Sequence, residues 1–288
     1  MAGGPVSVCD VYATLGEGPV WIEPALWFVD IKQQKVHRFD PSGGSLFSWD
    51  APRQVGWILP AEDGKLVAGL QDGIYRFDPA TGDFTRLVEV EPDHPNNRLN
   101  DAASDPKGRI WFGSMDDGEA ALTGHFYRFD RGRVSDTGLA PVAITNGPAL
   151  SPDGRLLYFT DTLGQVIHVA DVHDDGTLGR AREFVRFGEK EGFPDGPIVD
   201  AEGCLWTGLY AGWEARRYAP DGGLLETVRF PVSNITKLAF GGPDLRTVYA
   251  TTANKGLSES ALARQPEAGN LFSFRADVAG FPVTPVAL

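Results

Sequence analysis

The sequence has few of the residues that serve for covalent cross-linking or for crossing a membrane. Its 288 residues include two cysteines, Cys9 and Cys204, in no C-x-x-C arrangement. This pattern excludes a disulfide framework or a zinc ribbon and predicts two buried, small apolar side chains. No apolar run approaches the roughly eighteen residues needed to cross a bilayer, and the N-terminus lacks a basic segment followed by an apolar one. We therefore expect a cytoplasmic protein with no membrane partner.

Positive charge is also scarce. The chain has 26 Lys and Arg residues against 39 Asp and Glu residues, which gives a net charge of -13. Because binding to a phosphate backbone needs clustered Lys and Arg, we expect no nucleic-acid partner. The sequence also lacks the G-x-S-x-G, G-x-G-x-x-G, G-K-[ST] and H-E-x-x-H motifs, which argues against serine-nucleophile hydrolysis and nucleotide chemistry.

What the sequence does contain is an internal repeat of 40 to 48 residues. Each copy has an apolar strand, a polar turn and a second strand that often ends in Arg-Phe-Asp. The apolar strands begin at residues 26, 66, 110, 157, 205 and 248. A period of this length holds four short strands, which form one blade of a β-propeller. The sequence therefore predicts an all-β, six-bladed propeller that forms a single domain over residues 1–288.

Two segments fall outside the repeat. Residues 6–11 alternate like a strand but precede the first blade. We expect them to pair with the last blade and close the ring, which leaves no sheet edge open. Residues 258–265, within an unusually long loop of the sixth repeat, have a helical pattern.

Three tripeptides have the same form, a residue with a side-chain oxygen followed by Gly-Pro. They begin at Glu17, Asn146 and Asp195, each nine to eleven residues before the apolar strand of its repeat. Asn100 holds the same place in the third repeat. Each of these residues is therefore predicted to start the innermost strand of its blade, and the four side chains are predicted to meet at one mouth of the central channel.

Each tripeptide alone would also suit an ordinary turn, since Asn, Asp and Gly-Pro are common turn residues. Three tripeptides in register, one of them beginning with the poor turn former Glu, favour a shared site instead. Two carboxylates and an amide oxygen form a hard donor set that suits a divalent cation, and three protein ligands leave positions open for water and substrate. We predict one divalent metal ion, and calcium, magnesium, manganese, iron(II) and zinc all remain open.

Several short motifs together resemble those of one known family. They are Leu15-Gly16-Glu17-Gly18-Pro19-Val20-Trp21, Arg98-Leu99-Asn100-Asp101, Gly113-Ser114-Met115, Thr145-Asn146-Gly147, Pro194-Asp195-Gly196 and Phe240-Gly241-Gly242-Pro243-Asp244-Leu245. Over nearly its whole length the chain resembles the senescence-marker-protein/gluconolactonase family, also called regucalcin-like, and within it the bacterial sugar lactonases such as xylonolactonase. The resemblance implies a metal-dependent hydrolase that acts on a small-molecule sugar lactone, and we expect a monomer.

The resemblance also assigns roles to individual residues. The metal ligands of the family correspond to Glu17, Asn146 and Asp195, and its substrate contacts correspond to Arg98 and Asn100.

A further substrate contact is less well defined by the sequence. The family often has a Glu shortly after the Gly-[ST]-Met segment, and here the chain reads Met115-Asp116-Asp117-Gly118-Glu119. Glu119 is predicted to bind sugar hydroxyls.

The expected reaction is the opening of xylonolactone or a similar aldonolactone by water, with Asp195 as the catalytic proton acceptor. Two alternatives remain. The first is a gluconolactonase or a regucalcin-like calcium-binding protein with little turnover, because one fold hosts many functions. The second is an interaction scaffold, for which Trp57 and Trp213 would be the exposed aromatic residues at the channel mouth.

Overall fold

The computed structural model describes residues 4–288, so the first three residues of the predicted domain lie outside the described residues. Strand β1 (Val6–Cys9) comes first in the chain. The next three sheets are formed by β2 (Gly16–Ile22), β3 (Ala25–Asp30), β4 (Lys35–Asp40) and β5 (Ser45–Asp50), then by β6 (Val55–Pro60), β7 (Leu66–Leu70), β8 (Gly73–Asp78) and β9 (Asp83–Glu89), and then by β10 (Asn97–Ser104), β11 (Ile110–Asp116), β12 (Phe126–Asp130) and β13 (Arg133–Asp136).

The remaining sheets follow the same plan. They contain β14 (Thr145–Leu150), β15 (Leu156–Asp161), β16 (Val166–Asp171) and β17 (Arg182–Arg186), then β18 (Phe193–Pro194), β19 (Ile198–Val199), β20 (Leu205–Tyr210), β21 (Glu214–Tyr218) and β22 (Leu224–Arg229), and finally β23 (Ile235–Gly241), β24 (Thr247–Thr252) and β25 (Leu271–Arg275). Within each sheet the named strands pair antiparallel. Among residues 4–288 this makes six sheets, and the predicted six-bladed propeller is confirmed.

The ring closes through its first strand. Strand β1 pairs antiparallel with β25, with Val6 opposite Ser273, so the sixth sheet has the order β1-β25-β24-β23. The first segment of the chain thus provides the outer strand of the last blade, as the sequence predicts.

Position within a blade determines how deeply a strand is buried. Strands β3, β7 and β11 are buried along their whole length, whereas the outer strands β5 and β22 are mostly exposed. The inner strands lie between neighbouring blades and present apolar side chains on both faces, which gives continuous apolar runs rather than alternation.

Turns between the first and second strands of two blades are tied to the core by aspartate. Asp105 and Asp200 are fully buried, and each accepts the indole N–H of a core tryptophan at 2.9 Å, from Trp111 and Trp206 respectively. The same carboxylates also accept backbone N–H groups of their turns. A buried carboxylate that satisfies several donors holds the turn and the core in one register.

Every innermost strand is interrupted at the same level. The pairing register shifts between Glu17 and Val20 in β2, between Val55 and Trp57 in β6, and between Asn146 and Ala149 in β14. Strands β10 and β23 shift as well, and in blade 5 the gap between β18 and β19 falls on residues 195–197. A bulge at this level redirects side chains, and in blades 1, 4 and 5 it coincides with the Gly-Pro of the predicted tripeptides.

The C-terminal segment crosses the opposite mouth of the channel. The Ala279 carbonyl accepts the N–H of Ala201 in blade 5 at 2.9 Å. Farther along, the Thr284 carbonyl accepts the hydroxyl of Ser104 in blade 3 at 2.6 Å, and Val286 donates to the Pro60 carbonyl in blade 2 at 2.8 Å. The segment therefore covers this mouth.

The long loop of blade 6 contains helix α1 (Glu259–Leu262), which lies within the predicted segment 258–265 and is shorter than it. Cys204 is buried and Cys9 is half-buried, and both are free thiols. Trp213 is exposed, but Trp57 is 1% exposed and packs in the core, so its expected place at the channel mouth is wrong. Within the described chain, none of the helical segments is long and apolar enough to span a membrane.

Candidate metal and substrate site

One half of the channel is a polar cavity of about 190 Å³. Its wall contains all six residues that the sequence singled out, and they come from the inner strands of blades 1, 3, 4 and 5 and from the loop after β11. They are Glu17, Arg98, Asn100, Glu119, Asn146 and Asp195. The fold thus brings these six side chains together in one cavity.

Glu17 and Asp195 are buried carboxylic acids in this wall, 3% and 6% exposed. One oxygen of each accepts the backbone N–H of the glycine that follows, at 2.8 Å for Gly18 and 2.9 Å for Gly196. Burial and then the charge of Asp101 raise the pKa of Glu17 to about 8. Burial and then the charges of Glu17 and Asp101 raise the pKa of Asp195 well above its usual range. The carboxylates are close enough to repel each other, and a cation between them would relieve that repulsion.

The side chain of Asn146 is held from both ends. Its Nδ2 donates to the Thr162 hydroxyl at 2.9 Å, and that hydroxyl donates to the Pro194 carbonyl at 3.0 Å. Its Oδ1 accepts Nδ2 of Asn100 at 3.0 Å. These contacts make Oδ1 the acceptor end of the amide.

Arg98 continues this network. Its Nη1 donates to Oδ1 of Asn100 at 2.6 Å, and its Nε donates to Asp117 at 2.9 Å. Arg98 is 2% exposed, and its pairing with Asp117 compensates for the burial of its charge. Asp117 also accepts Lys32 at 2.5 Å, and these cationic and hydrogen-bonding partners hold its pKa at about 2.

Three acidic residues follow Met115, and the structure gives them different positions. Asp116 accepts the backbone N–H groups of residues 120 and 121 and so caps its own loop. Asp117 pairs with Arg98, as described above, and Glu119 lines the cavity. Glu119 forms an ion pair with Lys255 from the long loop of blade 6. Loops from opposite blades therefore meet over the cavity.

Sequence reasoning missed four charged residues around the site. They are Asp101, Asp117, Lys237 and Lys255. Asp101 stands next to Asn100 in a motif that was recognised, so its position offered a signal. The two lysines come from blade 6, which has no tripeptide like those of blades 1, 4 and 5, and their sequence context gives no comparable signal.

The donor set fits a divalent cation by its chemistry. Among residues 4–288, no three His, Cys, Asp or Glu side chains form a group that could hold a metal ion. The set formed by Glu17, Asn146 and Asp195 is of another kind, because one of its three members is an amide. Both carboxylates have one oxygen that is not used by the glycine N–H, and all-oxygen sets suit hard cations.

The fold and the site together define a class: six-bladed propellers with a buried set of oxygen donors at one mouth of the central channel. The family is defined by sequence: the SMP-30/gluconolactonase/LRE-like region matches residues 15–254. The chain belongs to this family, and the resemblance inferred from its motifs is confirmed.

Its relatives include enzymes and a calcium-binding protein. L-arabinolactonase of Azospirillum brasilense is 37% identical over 277 residues, which cover 94% of this chain and 91% of the relative. 6-Deoxy-6-sulfogluconolactonase of Pseudomonas putida is 34% identical, with 93% of each chain covered. The crystal structure of a calcium-binding protein, regucalcin, from Agrobacterium tumefaciens matches with a TM-score of 0.95 and 28% identity, covering 100% of this chain and 98% of that chain.

Proposed function

We propose that this protein is a sugar lactonase that hydrolyses xylonolactone or a similar aldonolactone to the aldonic acid, with one divalent metal ion held by Glu17, Asn146 and Asp195. The observation that carries the proposal is the convergence of two buried carboxylates and one oriented amide oxygen, from three blades, on a cavity that also contains Arg98 and Asn100. Relatives named as sugar lactonases, which match nearly the whole chain, support the reaction class.

The metal would contribute charge that the protein lacks at this point. When bound, a divalent ion polarises the lactone carbonyl and stabilises the negative charge that develops on its oxygen, an effect of several kcal/mol. The donor set leaves calcium, magnesium, manganese, iron(II) and zinc as candidates. Positive charge beside Glu17 and Asp195 opposes the burial and the repulsion that raise their pKa values, so both act as carboxylates at neutral pH.

Asp195 then acts as the proton acceptor. It takes a proton from the water whose oxygen forms a bond to the carbonyl carbon of the lactone. The bond between that carbon and the ring oxygen breaks, and the ring oxygen takes up the proton as it becomes a hydroxyl group. The hydrogen bond from Gly196 to Asp195 Oδ1, at 2.9 Å, holds the carboxylate in place during this transfer.

The remaining wall residues would hold the sugar. Arg98 and Asn100 are linked to each other and to Asn146, so a hydroxyl group bound by this pair is placed relative to the metal ligands. Glu119 and Lys255 lie at the mouth, where they can accept from and donate to further hydroxyl groups. A neutral polyhydroxy lactone suits this alternation of donors and acceptors.

The proposal is tested by a panel of pentono- and hexonolactones in a pH-drop assay, with and without a chelator. Because the proton acceptor and a metal ligand are both lost, we expect Asp195→Ala to reduce turnover by at least about a thousandfold. Asp221→Ala, at an exposed hairpin of the same blade, is the matched control and should retain full activity. Normal turnover in the Asp195 variant would contradict the assignment.

The second candidate function is calcium binding with little turnover, which the calcium-binding relative from Agrobacterium tumefaciens favours. Purified protein that binds a divalent ion but leaves every lactone of the panel at its spontaneous rate of opening would support this candidate over the lactonase.

A further inference from the structure

A buried ion pair lies in the channel beside the proposed metal ligands. Lys237 of β23 and Asp101 of β10 pair through Nζ and Oδ1, and the two residues are 5% and 1% exposed. Their strands belong to blades 6 and 3, which face each other across a ring of six. Lys237 also lines the apolar cavity in the other half of the channel. The pair therefore spans the channel between the two cavities.

Both members of the pair touch residues that follow predicted metal ligands. Oδ2 of Asp101 accepts the N–H of Gly147, next to Asn146, at 2.9 Å. The stem of Lys237 packs on Gly196, next to Asp195, so closely that a Cβ at Gly196 would lie 2.8 Å from Cγ of the lysine. The ion pair is thus built into the same layer of the channel as the proposed ligands.

We propose that Lys237 is a built-in counter-cation of the channel: it neutralises Asp101, so that one divalent ion is enough to balance the charges of Glu17 and Asp195. The inference rests on the metal site of the proposed function. Three buried carboxylates are balanced here by one ammonium group and one divalent ion. A single negative charge left over in a buried layer would be costly, and Lys237 removes it without using the metal.

The inference predicts opposite effects for the two partners. Lys237→Met removes a positive charge beside the site and releases Asp101. We expect this variant to bind Mn²⁺ at least roughly tenfold more tightly, because a unit charge a few ångströms away is worth kilocalories in a buried site. Asp101→Asn leaves the ammonium group unneutralised, and we expect at least roughly tenfold weaker binding. The double variant should return to within about threefold of the unchanged protein, since both charges are gone.

The experiment is a titration of the full-length, metal-stripped protein with Mn²⁺. Isothermal calorimetry and the electron paramagnetic resonance signal of free Mn²⁺ measure the Kd and the stoichiometry. Lys65→Met is the matched control, because Lys65 pairs with Asp78 in a partly exposed position of blade 2. It should leave the Kd and the stoichiometry unchanged. Circular dichroism melts confirm that each variant is folded.

The results separate the inference from the metal site on which it rests. If the unchanged protein binds one Mn²⁺ ion and Lys237→Met binds one ion with a Kd within threefold of it, the inference is wrong and the metal site stands. If Lys237→Met does not fold, Asp101→Asn decides, and binding as tight as in the unchanged protein overturns the inference. Failure of the unchanged protein to bind any divalent ion would overturn both.

Discussion

The two halves of the central channel share the inner strands of blades 1, 3, 4 and 5 and differ in the side chains that line them. The half before the bulges contains the buried acids and amides of the proposed site. The half after the bulges is a cavity of about 270 Å³ walled mostly by apolar residues, among them Pro19, Ile58, Pro148, Pro197 and Leu238. A single strand therefore contributes a reactive group at one end and core packing at the other, and the bulge separates the two roles.

The ends of the channel differ as well. Loops that contain Glu119 and Lys255 stand over the polar half, and the C-terminal segment crosses the apolar half and is hydrogen-bonded to blades 2, 3 and 5. Substrate is expected to enter from the loop side only. Changes in the polar half should affect chemistry more than stability, and changes in the apolar half should do the opposite.

The largest expected effect comes from the polar half. Glu17→Gln keeps the shape of the side chain but removes one of two negative charges from the proposed ligand set. We expect turnover of the best lactone to fall by about a thousandfold and the Kd for Mn²⁺ to rise by at least about a hundredfold. The melting temperature of the metal-free variant should change little at neutral pH, because Glu17, with its pKa raised to about 8, is already mostly protonated without metal, and Gln is uncharged as well. A variant that binds metal normally would remove Glu17 from the site.

The apolar half should show the reverse behaviour. Ile58 is 1% exposed and packs in the core beside the apolar cavity. Ile58→Ala should lower the free energy of unfolding by about 2 to 5 kcal/mol, which is typical when a buried aliphatic side chain is truncated. Chemical denaturation measures this loss. The Kd for Mn²⁺ should stay within about threefold of the unchanged protein, and a hundredfold change would show that the two halves are not independent.

The buried acids also predict how stability depends on pH. The pKa of Glu17 is about 8 in the folded protein against an ordinary value of 4.5, and that of Asp195 is raised too. The folded state therefore keeps protons that the unfolded chain releases above about pH 4.5. Their contribution is present below that pH and is lost as the pH rises toward 8, by on the order of a few kcal/mol. Melts of metal-free protein between pH 5 and 8 should show this decline.

Metal provides the control for the pH experiment. With saturating Mn²⁺ the acids are held as carboxylates, so the decline between pH 5 and 8 should disappear or reverse. Equal pH profiles with and without metal would mean that the ion does not bind at these acids.

The smallest effect is expected at the covering segment. Phe281 contributes to the wall of the apolar cavity but is 37% exposed. Because more than a third of its surface stays in water, Phe281→Ala should lower the free energy of unfolding by only about 1 to 2 kcal/mol and leave turnover unchanged. A large loss of activity would indicate that the mouth covered by the C-terminal segment takes part in the reaction.

Sequence predicts the blades and much of the site for a clear physical reason. The repeat period sets the strands, and the Gly-Pro tripeptides coincide with the bulges that follow Glu17, Asn146 and Asp195. The ion pair of Lys237 and Asp101 was not predicted because it depends on which blades face each other and on how far Lys237 reaches. Similarly, the course of the C-terminal segment depends on hydrogen bonds to distant loops, and these leave no periodic pattern in the chain.

The most direct test of the central claim is anomalous diffraction from crystals grown with Mn²⁺. The account predicts one strong anomalous peak in the polar half of the channel, at roughly 2.0 to 2.6 Å from side-chain oxygens of Glu17, Asn146 and Asp195. A peak at any other place, or Mn²⁺-treated crystals with no peak between these three side chains, would contradict it.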